Sequence, residues 1–188
     1  MTTFPWYEEV KPDTPVTQGD LIESCPVLVF GPISKMVPPL QTDAVLSALK
    51  DSHGFELLRV IVTTQACDLA QGKARFVTLC PVDHITEYKK DWEAAVRAER
   101  KSPKPDDWKN KLKQIKDGRI LNLCLLNEWN GPNPESISIP YQIVDFQEVL
   151  GLPLDFLTNW VPRTETGCDY CPPIGNMFLK LSPDSSCV

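Results

Sequence analysis

Between two apolar runs, Leu57 to Thr63 and Phe76 to Val82, the chain turns through Gln65-Ala66-Cys67-Asp68 and then Gln71-Gly72-Lys73. The first corner sets an amide, a thiol and a carboxylate side by side where a strand ends, a usual location for binding and catalytic groups. Gln65, Cys67 and Asp68 are therefore the candidate binding residues. A thiolate at Cys67 is a nucleophile when a base stands near it. Asp68 adjoins it, and His84 closes the next apolar run. The chain has two histidines, His53 and His84, so a Cys–His pair rests on His84. The plainer reading is a turn, in which Asp and Gly satisfy backbone geometry and carry no function.

A second thiol pattern, Cys168-Asp169-Tyr170-Cys171, is a CxxC. Structural zinc takes four ligands, and neither the other cysteines (25, 67, 80, 124 and 187) nor the histidines show the spacing of a second pair. Pro172-Pro173 follow the motif, which does not open a helix in a βαβ unit, so a thioredoxin-like role does not fit. The cysteines are expected to be reduced and metal-free, with no cofactor. Cys80 and Cys124 sit inside apolar runs and read as small core residues. No Gly-rich phosphate loop, HExxH or GxSxG string occurs.

The elements that position these groups follow from apolar periodicity. The 188 residues read as a single α+β domain, mainly β. An N-terminal arm covers 1–17, with Phe4, Trp6 and Tyr7 needing burial. Strands are expected at 18–23 and 25–30, and at 57–64 and 75–82. They are expected again at 119–126 and at 136–146, where Ile137, Ile139, Tyr141 and Ile143 alternate. An insertion at 36–54 holds a short helix capped by Thr42 and stopped at Gly54. From 84 to 117 the period becomes helical. Ile85, Tyr88, Trp92 and Val96, then Trp108, Leu112 and Ile115, mark a helical hairpin broken at Ser102-Pro103-Lys104-Pro105. A C-terminal segment, 147–188, carries a short helix over 147–161 and another over 172–181.

The formal net charge is −6, which weighs against nucleic acid, because phosphate neutralisation supplies most of such affinity. The hairpin is the local exception, with Lys89, Lys90, Arg97, Arg100, Lys101, Lys109, Lys111, Lys113 and Lys116. Runs of this kind are usually solvated faces. No run of about 18 apolar residues is present, so no transmembrane helix is expected. The first residues lack a secretory pattern, which points to the cytoplasm.

Three pieces together resemble the MazF/PemK toxin family: Gln18-Gly19-Asp20-Leu21-Ile22, Arg59-Val60-Ile61-Val62 and Arg75-Phe76-Val77-Thr78-Leu79-Cys80-Pro81-Val82. The resemblance covers about the first half of the chain. It implies an SH3-like β-barrel, here built from 18–83 and 119–146, with the hairpin at 84–117 inserted and a C-terminal helix added. Members of that family cleave single-stranded RNA without a metal, using an Arg near the start of the Arg-led strand and a hydroxyl at the end of the third. Arg59 matches the first. The third strand ends Pro81-Val82-Asp83 and offers no hydroxyl, and the family's Gly-rich loop before the Arg is replaced by Gly54-Phe55-Glu56. Arg59 is otherwise expected to pair with a carboxylate such as Glu56.

Two functions follow. The first is a catalytically diverged, toxin-like barrel that binds a protein partner in a bacterial defence or toxin–antitoxin type system, through the 65–68 corner or the hairpin. The second is a metal-independent endoribonuclease using Arg59 with Thr64 or Thr78, favoured if the basic hairpin lies beside Arg59. A thiol- or metal-dependent enzyme around Cys67 and Asp68 comes third.

Overall fold

Aliphatic and β-branched residues are densest at 20–30, 53–62 and 76–84, and there the chain forms its three longest strands. A computed structural model describes residues 7–9, 14–30, 53–130, 138–160 and 179–181. In chain order the elements are β1 (Tyr7–Glu9), β2 (Asp20–Phe30), β3 (His53–Val62), α1 (Ala66–Ala70), β4 (Phe76–His84), α2 (Ile85–Ala98) and α3 (Pro105–Lys116). They continue with β5 (Leu123–Leu126), β6 (Trp129–Asn130), β7 (Ser138–Ile139), β8 (Gln142–Asp145), β9 (Leu150–Pro153), α4 (Leu154–Trp160) and β10 (Leu179–Leu181). Every strand pairing is antiparallel.

The main sheet runs β1-β10-β2-β3-β4-β8-β5, with β9 added on β4, and β6–β7 form a separate ribbon. β4 organises this order. It pairs with β3 through Val60↔Pro81 to Val62↔Leu79, with β9 through Phe76 to Leu79, and with β8 through Val82 to His84. The pairing with β3 stops at Pro81, a residue without an N–H, and beyond it the strand continues against β8.

Alternation along the strands sends apolar side chains to both faces. One face gathers Ile22, Cys25, Val27, Val60, Val62, Val77 and Leu79 under Leu152 of β9 and Leu157 of α4. The other gathers Tyr7, Leu21, Ile61, Cys80, Val82, Cys124, Leu126 and Val144. A third cluster, Ile115, Leu123 and Ile143 with Tyr88 and Trp108, seats the α2–α3 hairpin on β5 and β8. The ends of the sheet meet through side chains: Tyr7 Oη donates to the carbonyl of Asn127 at 2.8 Å and its ring lies 6.2 Å from that of Trp129.

β2 holds its face only because it is bulged. Between Ile22 and Cys25 the register against β3 shifts, with Ser24 at φ 51. Ile22, Cys25 and Val27 then share one cluster although strict alternation would place Cys25 opposite Ile22. Gly19, at φ 87, makes the entry turn, in which Thr17 N donates to Asp20 Oδ2 at 2.8 Å.

Several expectations are corrected. The α+β, mostly antiparallel class holds, but the strands form an open path rather than a closed barrel: among the described residues, β1 and β5 end it without pairing to each other. The two strands expected at 18–23 and 25–30 are the single bulged β2. Gly54 lies within β3 and stops no helix. The strand expected at 136–146 is broken into β7 and β8 by Pro140 and Tyr141. Within 147–161 a strand, β9, precedes the helix. The end of the helix expected at 172–181 is instead β10, which joins β1 to β2. The helix expected within 36–54 falls mostly outside the described residues.

Gln142 is fully buried, and among the described residues its side-chain amide has no hydrogen-bond partner. Its register partners are His84 and Leu126. An unmet buried amide costs about 1–3 kcal/mol, so Gln142→Met is expected to raise the urea midpoint. Leu157→Ala, at a fully buried site, is expected to lower stability by about 2–5 kcal/mol in the same titration.

Candidate functional site

The Gln65–Asp68 corner begins where β3 leaves the sheet, and two threonines determine how it leaves. Thr63 N and Thr63 Oγ1 both donate to the carbonyl of Thr78, at 2.9 and 3.1 Å. Thr64 Oγ1 accepts from Thr78 N at 2.6 Å. These bonds clamp the end of β3 to β4, after which the chain winds into the single turn of α1. Leu69 anchors that turn in the core, while Gln65 and Cys67 are exposed. The carbonyl of Asp68 accepts from the N–H groups of Lys73 and Ala74, which closes the loop.

Within the corner the three candidate side chains come together. Cys67 Sγ lies 3.7 Å from Gln65 Oε1 and 3.8 Å from Asp68 Oδ1, so the thiol donates into an amide oxygen and a carboxylate. His84 does not join them. It stands at the far end of the nine-residue β4, roughly 26 Å of strand from Phe76 at about 3.3 Å per residue. There it caps α2, its Nδ1 accepting from Thr86 N at 3.2 Å. Among the described side chains, no imidazole reaches the corner.

Cys25, Cys80 and Cys124 are buried, as the apolar runs predict for the last two. Burial pushes the Cys25 thiol up to about 12. Burial also raises Cys80, with a hydrogen bond involving Thr63 opposing and the charge of Asp145 adding. Neither is a nucleophile near neutral pH. Cys168 and Cys171 lie outside the described residues. Among the described residues no group of three or more His, Cys, Asp or Glu side chains is arranged to hold a metal.

Arg59 points to the same face as Ile61 and is taken up by β2. Its Nε lies 2.5 Å from Glu23 Oε1, forming an ion pair. The partner is thus Glu23, from the bulge, and not the expected Glu56. Thr64, a candidate hydroxyl for cleavage, is the clamp described above. The basic hairpin packs elsewhere, against β5, β8 and the end of β4. Several of its cations are also neutralised locally: Lys89 and Arg97 by Glu93, Lys101 by Glu99, and Lys109 by Asp106.

Beneath the hairpin is a feature that sequence reading missed. Asp83 is exposed at its surface, but partial desolvation, the largest cause, and the charges of Glu148, Asp91, Glu87 and Asp145 raise its carboxyl above the ordinary range. Asp83, Glu87 and Asp91 follow one another at helical i, i+4 spacing, a signal available in the sequence. Asp145 and Glu148 are brought in only by β8 and the turn after it. No family of proteins, curated protein or solved structure in the comparisons made matches the chain.

A raised carboxyl resists ionisation in the folded state, so it lowers stability wherever it is charged. The penalty is absent below the unfolded value near 3.8 and grows as pH rises through the folded value. Asp83→Asn is expected to melt higher than wild type at pH 7, with the difference closing as the pH is lowered towards 3.8. Thermal unfolding followed by circular dichroism across that range checks the sign.

Proposed function

We infer that the chain is a catalytically diverged, toxin-like protein that binds a partner in a bacterial defence or toxin–antitoxin type system, and does not cut RNA. The observation that carries this reading is the state of Arg59. Metal-free cleavage of RNA needs the 2′-hydroxyl deprotonated, the leaving oxygen protonated and a cation turned to the phosphate. Here the one matching cation is held by Glu23. The neighbouring Thr64 hydroxyl is bonded to the backbone of β4. The remaining cationic surface, the α2–α3 hairpin, is seated on β5 and β8 and is partly self-neutralised.

General acid or base catalysis contributes about 10²–10⁴-fold per group. With Arg59 occupied by Glu23 and the Thr64 hydroxyl bonded to β4, the site is left with little rate above background. The net charge of −6 adds repulsion towards a polyanion. The resemblance of the segments at 18–22, 59–62 and 75–82 to MazF/PemK toxins supports placing the chain beside such systems, with binding in place of catalysis.

Incubation of labelled single-stranded RNA with wild type and with Arg59→Ala tests this. The expected result is no specific cleavage by either. Robust cleavage by wild type that disappears in the variant establishes the endoribonuclease reading instead.

A further inference from the structure

The two longest strands, β2 and β3, pair along their whole length, from Leu21↔Ile61 to Phe30↔His53. Their outer neighbours are much shorter. β10 meets β2 only at Asp20 and Leu21, and β4 meets β3 only at Val60 to Val62. The rest of the ribbon, 22–30 with 53–59, has both edges unpaired among the described residues. A free strand edge is a template for another strand, and proteins ordinarily blunt it with a bulge, a proline or a charge such as lysine.

The two edges differ in this respect. That of β2 carries the bulge at Ser24 and then Pro26, which has no N–H to offer. Over 53–59, β3 carries no bulge, no proline and no lysine. Phe55 is 76 % exposed and Leu57 is 55 % exposed, on the face where Leu28 is also uncovered. Large apolar residues left in water beside an unpaired backbone are the ordinary signature of a strand-accepting surface.

We propose that the free edge of β3, residues 54–59, is a docking site for an extended segment of another protein, which adds to the sheet as a further strand. The occupant presents apolar residues over Phe55 and Leu57 and a basic residue over Glu56. Charge sets this choice. Arg59 is neutralised by Glu23, whereas Glu56 is exposed and has no ion-pair partner among the described residues. The edge therefore displays one unpaired negative charge on one face and the apolar Phe55 and Leu57 on the other. A second copy of the chain is a poorer occupant, since two bodies of charge −6 repel and supply no cation to this position. The inference rests on the protein-binding reading above and names the surface that serves it.

The probe is a short fluorescent peptide of alternating valine and threonine with a lysine at its centre, compared with the same peptide carrying glutamate there. Binding is read by fluorescence anisotropy and by hydrogen exchange of the amides at 54–59. The lysine peptide is expected to slow exchange at those amides and to bind about 3-fold tighter than the glutamate peptide, the scale of one cross-strand charge pair. Glu56→Lys, at an exposed site that leaves folding intact, is expected to reverse that order. Unchanged exchange at 54–59, or a preference that survives Glu56→Lys, overturns the proposal. Concentration-dependent self-association in sedimentation that protects the same amides overturns it in favour of a second copy. RNA cleavage lost in Arg59→Ala removes the underlying reading, whereas no cleavage and no peptide binding removes the docking edge alone.

Discussion

β4 hydrogen-bonds to three strands along nine residues, and the arrangement of the sheet depends on how it divides them. Its first residues carry β9 on one edge, and Leu79 to Pro81 carry β3 on the other. Its last residues carry β8. Pro81, which lacks an N–H, stands where the partner changes. Because β4 serves both halves, Val77 and Leu79 complete one apolar cluster while Cys80 and Val82 complete the other. A strand shared in this way couples both clusters to one register, and a slip of one residue would exchange their side chains.

The same division decides which polar groups near the corner are already engaged. Holding β3 to β4 engages the hydroxyls of Thr63 and Thr64 with the backbone of Thr78. The bulge that keeps β2 facing the core brings Glu23 onto Arg59. Both are ordinary consequences of satisfying polar groups at the end and the side of a strand. What remains exposed is a thiol between two acceptors and a length of β3 that β4 has left behind.

Charge is distributed against expectation. The hairpin looks basic as a string of residues, but Lys89, Arg97, Lys101 and Lys109 meet Glu93, Glu99 and Asp106 within one or two turns. Carboxylates gather where α2 meets the sheet, around Asp83. Helical spacing places Glu87 and Asp91 on one stripe, and packing then adds carboxylates from another strand. Among the described residues no helix is long and apolar enough to cross a membrane.

How much of this was legible can be argued residue by residue. Alternation of Val, Ile and Leu determined the three long strands, and the spacing of Ile85, Tyr88, Trp108 and Ile115 determined the hairpin, because a buried face imposes its period on any sequence. The burial of Cys80 and Cys124 followed from their apolar neighbours. The bulge at Ser24 was not legible, since nothing in Glu23-Ser24 distinguishes one bulged strand from two separate ones. Nor was the partner of Arg59, because Glu23 and Glu56 are equally acidic and only the register of β2 on β3 selects between them. The distance of His84 from Cys67, the carboxylates around Asp83 and the open edge of β3 belong to tertiary structure alone. Each depends on which strand β4 pairs with at each point along it, and a choice among distant partners leaves no trace in local residue patterns.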